Sequence, residues 1–406
     1  MSKVGKPLLS FDKQAHYEIS TGTAINSISS GVSVNSEDVS IQNENELGIL
    51  KTSCVSAGSF IPAENKKVIA VDYQRVKKPV KAGTIIVSRM NTPLLVGEVG
   101  YVDKSIDNLF LPDRLWEIGV KPEYNARWLA NYLITPKIKF RLKELATGTS
   151  DSMKNISQPS FLSIQIFAPS YNEQQKITDF LTAVDSKISH LTEKHRLLNE
   201  YKKAIMQQLF SQQLRFKDKD GNAFPEWEEK PLFKMLTEYK CKTTIENQYD
   251  VLTSSRSGLM MQSDYYGEGR LTERSNVGFH VIPHGYITYR SRSDDRMFFF
   301  NLNERGKTGI ISHYYPVFSM NNGQNHFFIE LTRYHSKIFG KYAVGTSQVV
   351  LSYNSLSEIK LKFPCTQEQQ KIAQFLQSID KKITAVAEQI EQTKQFKKGL
   401  LQQMFV

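Results

Sequence analysis

The sequence has no run of about 18 consecutive apolar residues, so it offers no candidate helix for crossing a membrane. Its first ten residues, MSKVGKPLLS, lack the apolar stretch of a secretory signal. Cysteine is scarce. Cys54, Cys241 and Cys365 are odd in number, far apart and form no C-x-x-C pair, which excludes a disulfide framework and a cysteine-built zinc site. These absences fit a reducing cytoplasm, the location expected for the chain. Acid is also in deficit: 41 Asp and Glu stand against 52 Lys and Arg, for a net charge of +11. Such an excess favours an anionic partner, either nucleic acid or a membrane surface. What remains is ordinary for a globular protein, at 40% hydrophobic and 23% charged residues, and 406 residues suffice for two or three domains.

Motifs of catalysis are missing too. The nearest approach to a phosphate-binding loop, "ERGKTG", lacks the upstream glycine, and "YGEGRL" has G-x-G without a third glycine. There is no H-E-x-x-H, no G-x-S-x-G, and no N-P-P-[YF] of the kind that holds a flipped base in amino-methyltransferases. "FLPDRLWEI" lacks the E-x-K that would complete a nuclease cluster, so Asp113 and Glu117 read as surface acids. His280, His284, His313 and His326 crowd one region without metal-site spacing and read as satisfied or exposed histidines. No catalytic, cofactor-binding or metal-ligating residue is assigned, and the chain is read as a non-enzyme.

The positive signal is a repeat. Glu173 to Phe210 matches Glu368 to Phe405 at a constant offset of 195 without a gap, with 16 of 38 positions identical. "ATGTS" at Ala146 to Ser150 matches "AVGTS" at Ala343 to Ser347. The chain is a tandem duplication of domain and segment, with a period far too long for a solenoid. In the first segment Ile177, Leu181, Val184, Ile188, Leu191, Leu198, Ile205 and Leu209 follow steps of four and three. Ile372, Leu376, Ile379, Ile383, Val386, Ile390, Leu400 and Met404 do so in the second. This is the seam of a heptad repeat, so two helices of roughly 57 Å each bury their stripes against one another. A two-fold relation between the halves makes them antiparallel. His195, Lys202 and Lys397 interrupt the seam. The lysines read as snorkelling near fraying helix ends, with register control the other reading. Phe180, Phe375, Tyr201, Phe210 and Phe405 fall off the seam, as a docking surface or as caps on the domains.

Between and before the helices lie strand-rich domains. "AGTIIVSRM" and "HGYITYRSR" read as the same strand in two copies, and "NARWLANYLITPKIKFRLKELA" as an amphipathic helical stretch. "DGNAFPEWEEKPL" leads into the second domain and has no clear match in the first. Polar and basic residues concentrate on loops beside strands, where Arg suits guanine edges, Asn and Gln suit adenine, and Ser, Thr and Lys suit phosphates. The candidate DNA contacts in the first domain are Ser88, Arg89, Asn91, Thr149, Ser150 and Lys154. Those in the second are Arg256, Arg290, Arg292, Arg296, Asn301, Lys307 and Gln348, with Arg270 and Arg274 near by.

With the duplicated "EQQKI…FL…D.KI" helices, the G-T-S before each and the "DGNAFPEWEEKPL" segment, the chain resembles the specificity subunit of type I restriction-modification systems over nearly its whole length. The resemblance implies an α+β fold, with two target-recognition domains joined by two long helices in an antiparallel coiled coil. It implies that each domain reads one half of a bipartite double-stranded DNA target. The helices would set the spacer and dock two modification subunits, to which restriction subunits add translocation and cleavage. S-adenosylmethionine, ATP and Mg are expected on those partners and no cofactor on this chain. The expected segments are 1–168 and 216–364 for the recognition domains, and 169–215 and 365–406 for the helices. The competing readings are a stand-alone nucleic-acid-binding scaffold and an autonomous nuclease or methyltransferase.

Overall fold

The computed structural model describes residues 16–150, 152–267 and 275–405, with Thr149 and Ser150 described by backbone alone. The chain forms two compact units, one of residues 1–191 with 388–406 and one of residues 192–387. Five helices matter here: α1 (Ala126–Leu133), α2 (Pro136–Leu145), α3 (Tyr171–Phe210), α4 (Asn325–Tyr334) and α5 (Thr366–Met404). The long helices α3 and α5 have 40 and 39 residues. Each unit therefore contains one strand-rich domain and part of each long helix. The single helical stretch read from residues 125–146 is two helices, because Pro136 cannot continue α1 and instead opens α2.

Eight strands of the first domain recur in the second in the same chain order. They are β1 (Ile25–Ser30), β2 (Gly48–Leu50), β3 (Asn65–Val68), β4 (Pro79–Val80), β5 (Ile85–Ser88), β6 (Val99–Tyr101), β7 (Ile106–Phe110) and β8 (Leu115–Val120). Their counterparts are β9 (Leu236–Glu238), β10 (Asp250–Ser255), β11 (Gly258–Met261), β12 (His280–Ile282), β13 (Ile287–Tyr289), β14 (Phe300–Leu302), β15 (Gly309–Ile311) and β16 (Val317–Met320). In the first domain one sheet runs β1-β8-β5-β6 and continues through Gly58–Phe60 and Val55–Ser56. The other runs β3-β2-β7-β4, with Ser36–Glu37 outside β3. In the second domain the orders are β9-β16-β13-β14 and β11-β10-β15-β12. The one parallel pair among the eight, β2 with β7, recurs as β10 with β15. "AGTIIVSRM" and "HGYITYRSR" are the same strand. Each follows a glycine in the left-handed region, Gly83 at φ +78° and Gly285 at φ +82°, which closes the turn by donating to Val102 and Asn303 carbonyls.

The layering explains the apolar runs. Along β5, Ile85 and Val87 join Trp116, Ile118 and the α1 residue Trp128 in one cluster. Ile86, pointing the other way, joins Leu50, Val80 and Leu109 from the second sheet. A strand covered on both faces reads as continuous hydrophobicity. Glu117, expected on the surface, is buried in β8, and among the described residues its Oε2 has no hydrogen-bond partner. Asp113 accepts a hydrogen bond from Ser33.

The long helices pack together, and the antiparallel sense is visible inside the second unit. There Lys202 of α3 meets Asp380 of α5 at 2.7 Å, and further along the chain Arg215 meets the earlier residue Glu368 at 2.9 Å. In the first unit Lys397 meets Asp185 at 2.6 Å. These are one contact made twice, since Lys202 and Lys397, and Asp185 and Asp380, are equivalent in the repeat. The seam lysines therefore do not snorkel to water. Both are largely covered, and Lys202 also reaches the buried carboxylate of Glu330 on α4 at 3.2 Å. The apolar seam residues are buried or half-buried throughout. Phe210 and Phe405 are caps: Phe405 packs on Trp128 and Tyr132 in the first unit, and Phe210 on Trp227, Phe327 and Tyr334 in the second. Phe180 and Phe375 are half-buried against the cores, and Tyr201 alone of the five is exposed.

The repeated E-Q-Q is a joint between domain and helix. Gln174 and Gln369 are buried, and each Nε2 donates to a preceding proline carbonyl, Pro169 at 2.9 Å and Pro364 at 2.8 Å. Their Oε1 atoms accept from Asn125 N at 2.9 Å and Asn322 Nδ2 at 3.0 Å, beside α1 and α4. Glu368, fully buried, also accepts from Trp227 Nε1 at 3.2 Å, while its counterpart Glu173 lies 3.5 Å from His16. Trp227 precedes the strand Glu228–Pro231, which pairs with Lys360–Phe363. His16 precedes Tyr17–Ser20, which pairs with Gln165–Ala168. The first domain thus has a counterpart of the "PEWEEKPL" strand, with His16 in the place of Trp227. The two segments share a backbone role and almost no side chains, so sequence comparison does not align them.

Candidate nucleic-acid interface

In each domain the chain leaves β5 or β13 and pairs at once with the segment that follows the Gly-Thr-Ser loop. Met90–Asn91 pairs with Lys154–Asn155, and Arg292–Ser293 with Val349–Val350. One corner of each domain therefore gathers the strand exit, the turn beyond it and the Gly-Thr-Ser loop.

In the second domain this corner is basic. The run "RSRS" alternates: Ser291 and Ser293 are buried, and Arg290 and Arg292 point outward. Ser291 Oγ donates to Tyr314 O at 2.5 Å, and the Arg292 guanidinium lies 4.3 Å from the centre of the Tyr314 ring. Across the corner, the β10–β11 turn supplies Arg256, which bonds Asp295 at 2.5 Å and lies over Phe299 at 5.3 Å. Hydrogen bonds from Ser293, from Met297 N and from Arg256 hold the Asp295 carboxyl below the usual carboxylate range. Arg256, Arg290 and Arg292 converge with Tyr265, Asp294 and Phe299 on a cleft of about 220 Å³. A second cleft, of about 260 Å³, adjoins it at Arg256 and Phe299.

The other candidates divide into supports and outliers. Arg296 sits at φ +61°, a conformation that a non-glycine residue adopts only when its surroundings impose it. Its guanidinium donates to Gly340 O at 3.3 Å and Gly345 O at 3.4 Å, tying the turn to the Gly-Thr-Ser loop. Gln348 donates to Asp294 at 3.0 Å. Asn301 lies under the corner and bonds Ser254 Oγ at 2.7 Å and Ser255 O at 2.8 Å. Lys307 pairs with Asp250 at the other end of β10 and does not join the site.

In the first domain the candidates are mostly structural. Ser88 and Asn91 are buried and bonded to one another at 3.1 Å. Arg89 donates to Asp113 O at 2.8 Å and to Asn155 Oδ1 at 3.1 Å, and Lys154 to Gly148 O at 3.0 Å. The side chains of Thr149 and Ser150, and all of Arg270 and Arg274, lie outside the described residues. Sequence reading missed Tyr265, Asp294, Asp295 and Phe299. The alternation of "RSRS" was the available signal for the outward arginines, but nothing local marks Tyr265 or Phe299 as their neighbours.

Two copies of one corner, differently furnished, call for comparison with known proteins. The family of the type I restriction modification DNA specificity domain matches residues 41–200 and again 238–395. The chain belongs to that family. Among curated proteins it is 27% identical over 154 residues to the type I restriction enzyme EcoEI specificity subunit of Escherichia coli. That match spans 37% of this chain and 26% of the relative. It is 24% identical over 295 residues to the MjaVIII specificity subunit of Methanocaldococcus jannaschii, spanning 64% of this chain and 65% of the relative. The chain thus spans about a quarter of one curated relative and just under two thirds of the other. The solved S subunit from M. genitalium shares the fold over 98% of both chains, at a TM-score of 0.58 and 15% identity. Among the described residues no cluster of His, Cys, Asp and Glu could hold a metal ion, and no helix is long and apolar enough to cross a membrane.

Proposed function

We propose that this chain is the DNA-reading, non-catalytic subunit of a type I restriction-modification complex in the cytoplasm. Each domain reads one half of a bipartite target in duplex DNA. The paired helices set the spacer and dock two modification subunits. S-adenosylmethionine, ATP and Mg belong to those partners and to the restriction subunits. The observation that carries the reading is the duplicated corner. At the positions just past β13 where the second domain presents Arg290 and Arg292, the first has Ser88, the last residue of β5, and Met90, the first residue of the short strand that pairs with Lys154–Asn155. One scaffold with two unlike reading corners is what two unlike half-sites require.

Single-molecule methylome sequencing tests this, in a host with and without the gene and with the modification partner present. One bipartite motif carrying N6-methyladenine only when the chain is expressed is the expected result. An unchanged methylome beside an active partner would leave a stand-alone nucleic-acid-binding scaffold as the better account.

A further inference from the structure

The turn Thr92–Val96 in the first domain presents two leucines to solvent. Leu94 is 76% exposed and Leu95 45%. Yet their backbone is held closely. Leu95 N and Val96 N both donate to Thr92 O at 3.0 and 2.9 Å, and Gly97 N donates to Ser88 O at 2.8 Å. The buried side chain of Asn91 accepts from Thr92 N at 2.8 Å and donates to Ser88 Oγ. Val96 is buried, and Gly97, at φ +80°, lies so close to α2 that a Cβ would meet Leu142 at 3.0 Å. Glu98 binds Lys139 of α2 and accepts from Ala57 N at 2.8 Å. The frame is rigid, and its exposed product is an apolar tip.

The place of this tip in the fold says what it meets. It follows β5 as Asp294–Met297 follows β13, and Asp294 and Met297 line the arginine cleft of the second domain. Charge agrees. Among the described residues, Arg89 and Lys154, beside the turn, donate to neutral oxygens, and two cations at this corner suit phosphates. Within the major groove, the thymine C5-methyl is the apolar group on a base edge. Resting on the DNA-reading function above, we infer that Leu94 and Leu95 read thymine methyl groups in the half-site of the first domain. The charged turn of the second domain reads by hydrogen bonds instead. Ser88 and Asn91 then position the reader from below.

The test uses the complex of this chain with its modification subunits and a duplex bearing the mapped target. The first domain's half-site is the one whose recognition survives Arg290→Ala. Each thymine in it is replaced in turn by deoxyuridine, which lacks only the methyl. At least one replacement should weaken binding about four-fold, the effect of one buried methyl. The Leu94→Ala/Leu95→Ala complex should bind both duplexes alike, at the weaker level, and keep its response to changes in the other half-site. A half-site without thymine, tolerance of uracil at every position, or uracil sensitivity that persists in the variant would overturn the inference. Loss of the modification subunits with uracil sensitivity intact would assign the leucines to a protein contact instead. A wild-type complex with no preference for any duplex would overturn the function on which the inference rests.

Discussion

At the scale of single residues, the second domain's corner makes a specific demand. Arg290 and Arg292 stand outward only because Ser291 and Ser293 turn inward. Arg292→Ala should weaken binding to the second half-site about ten-fold or more, the range of a lost base contact, and leave the first half-site untouched. Competition binding with duplexes altered in one half at a time measures both effects. A second residue sets a pH dependence. His335, just past α4 and packed edge-on against Tyr334, has its pKa pushed below the ordinary 6.5 by burial. Its neutral form is favoured in the folded state, so the associated stability is present in full above about 6.5 and is lost as pH falls toward the lower folded value. The Tm of the second unit should therefore fall between pH 7 and pH 5, and His335→Gln should flatten that slope in a calorimetric series.

At the scale of elements, the two ion pairs between α3 and α5 differ in a way that mutation can expose. Lys397 and Asp185 face each other, whereas Lys202 also meets Glu330, which in turn holds Arg333. Lys397→Asp or Lys202→Asp alone should cost about 2 kcal/mol, the scale of a lost charged hydrogen bond. Adding Asp185→Lys should restore stability at the first site. Adding Asp380→Lys should not at the second, because residue 202 would then set one acid against another. Denaturant midpoints of the four variants decide it. This is also the scale at which the sequence was most legible. A heptad stripe is written along one segment, so the long helices and their repeat can be read directly, and β5 and β13 announce themselves after Gly83 and Gly285. The paired lysines were misread because their partners lie 178 and 212 residues away. Ser88 and Asn91 lie buried and bonded to one another, a placement that polarity alone does not reveal in the sequence.

For the whole molecule, the two ion pairs lie within the two units, and the boundary between the units cuts both helices between them, after Leu191 and after Ala387. Seven residues inserted at each of those points keep the heptad phase and leave both contacts intact. They add about 10 Å of helix at about 1.5 Å per residue, close to three base pairs at about 3.4 Å each. Methylome mapping of the insertion variant should find both half-sites unchanged and the spacer about three base pairs longer. An altered half-site would show that the helices do more than measure.

The lysine-aspartate contact made twice carries a historical consequence. Each half of the chain brings one lysine and one aspartate, and each contact takes its lysine from one half and its aspartate from the other. A gene of half this length would already encode both sides of the bond, so two identical products could close it against each other. On the DNA-reading function proposed above, such a pair would carry one reading corner in duplicate and would suit a target whose halves are the same. Fusing the two copies into one reading frame is what allows Ser88 and Arg290 to be different residues, and on that function would free the target from palindromy.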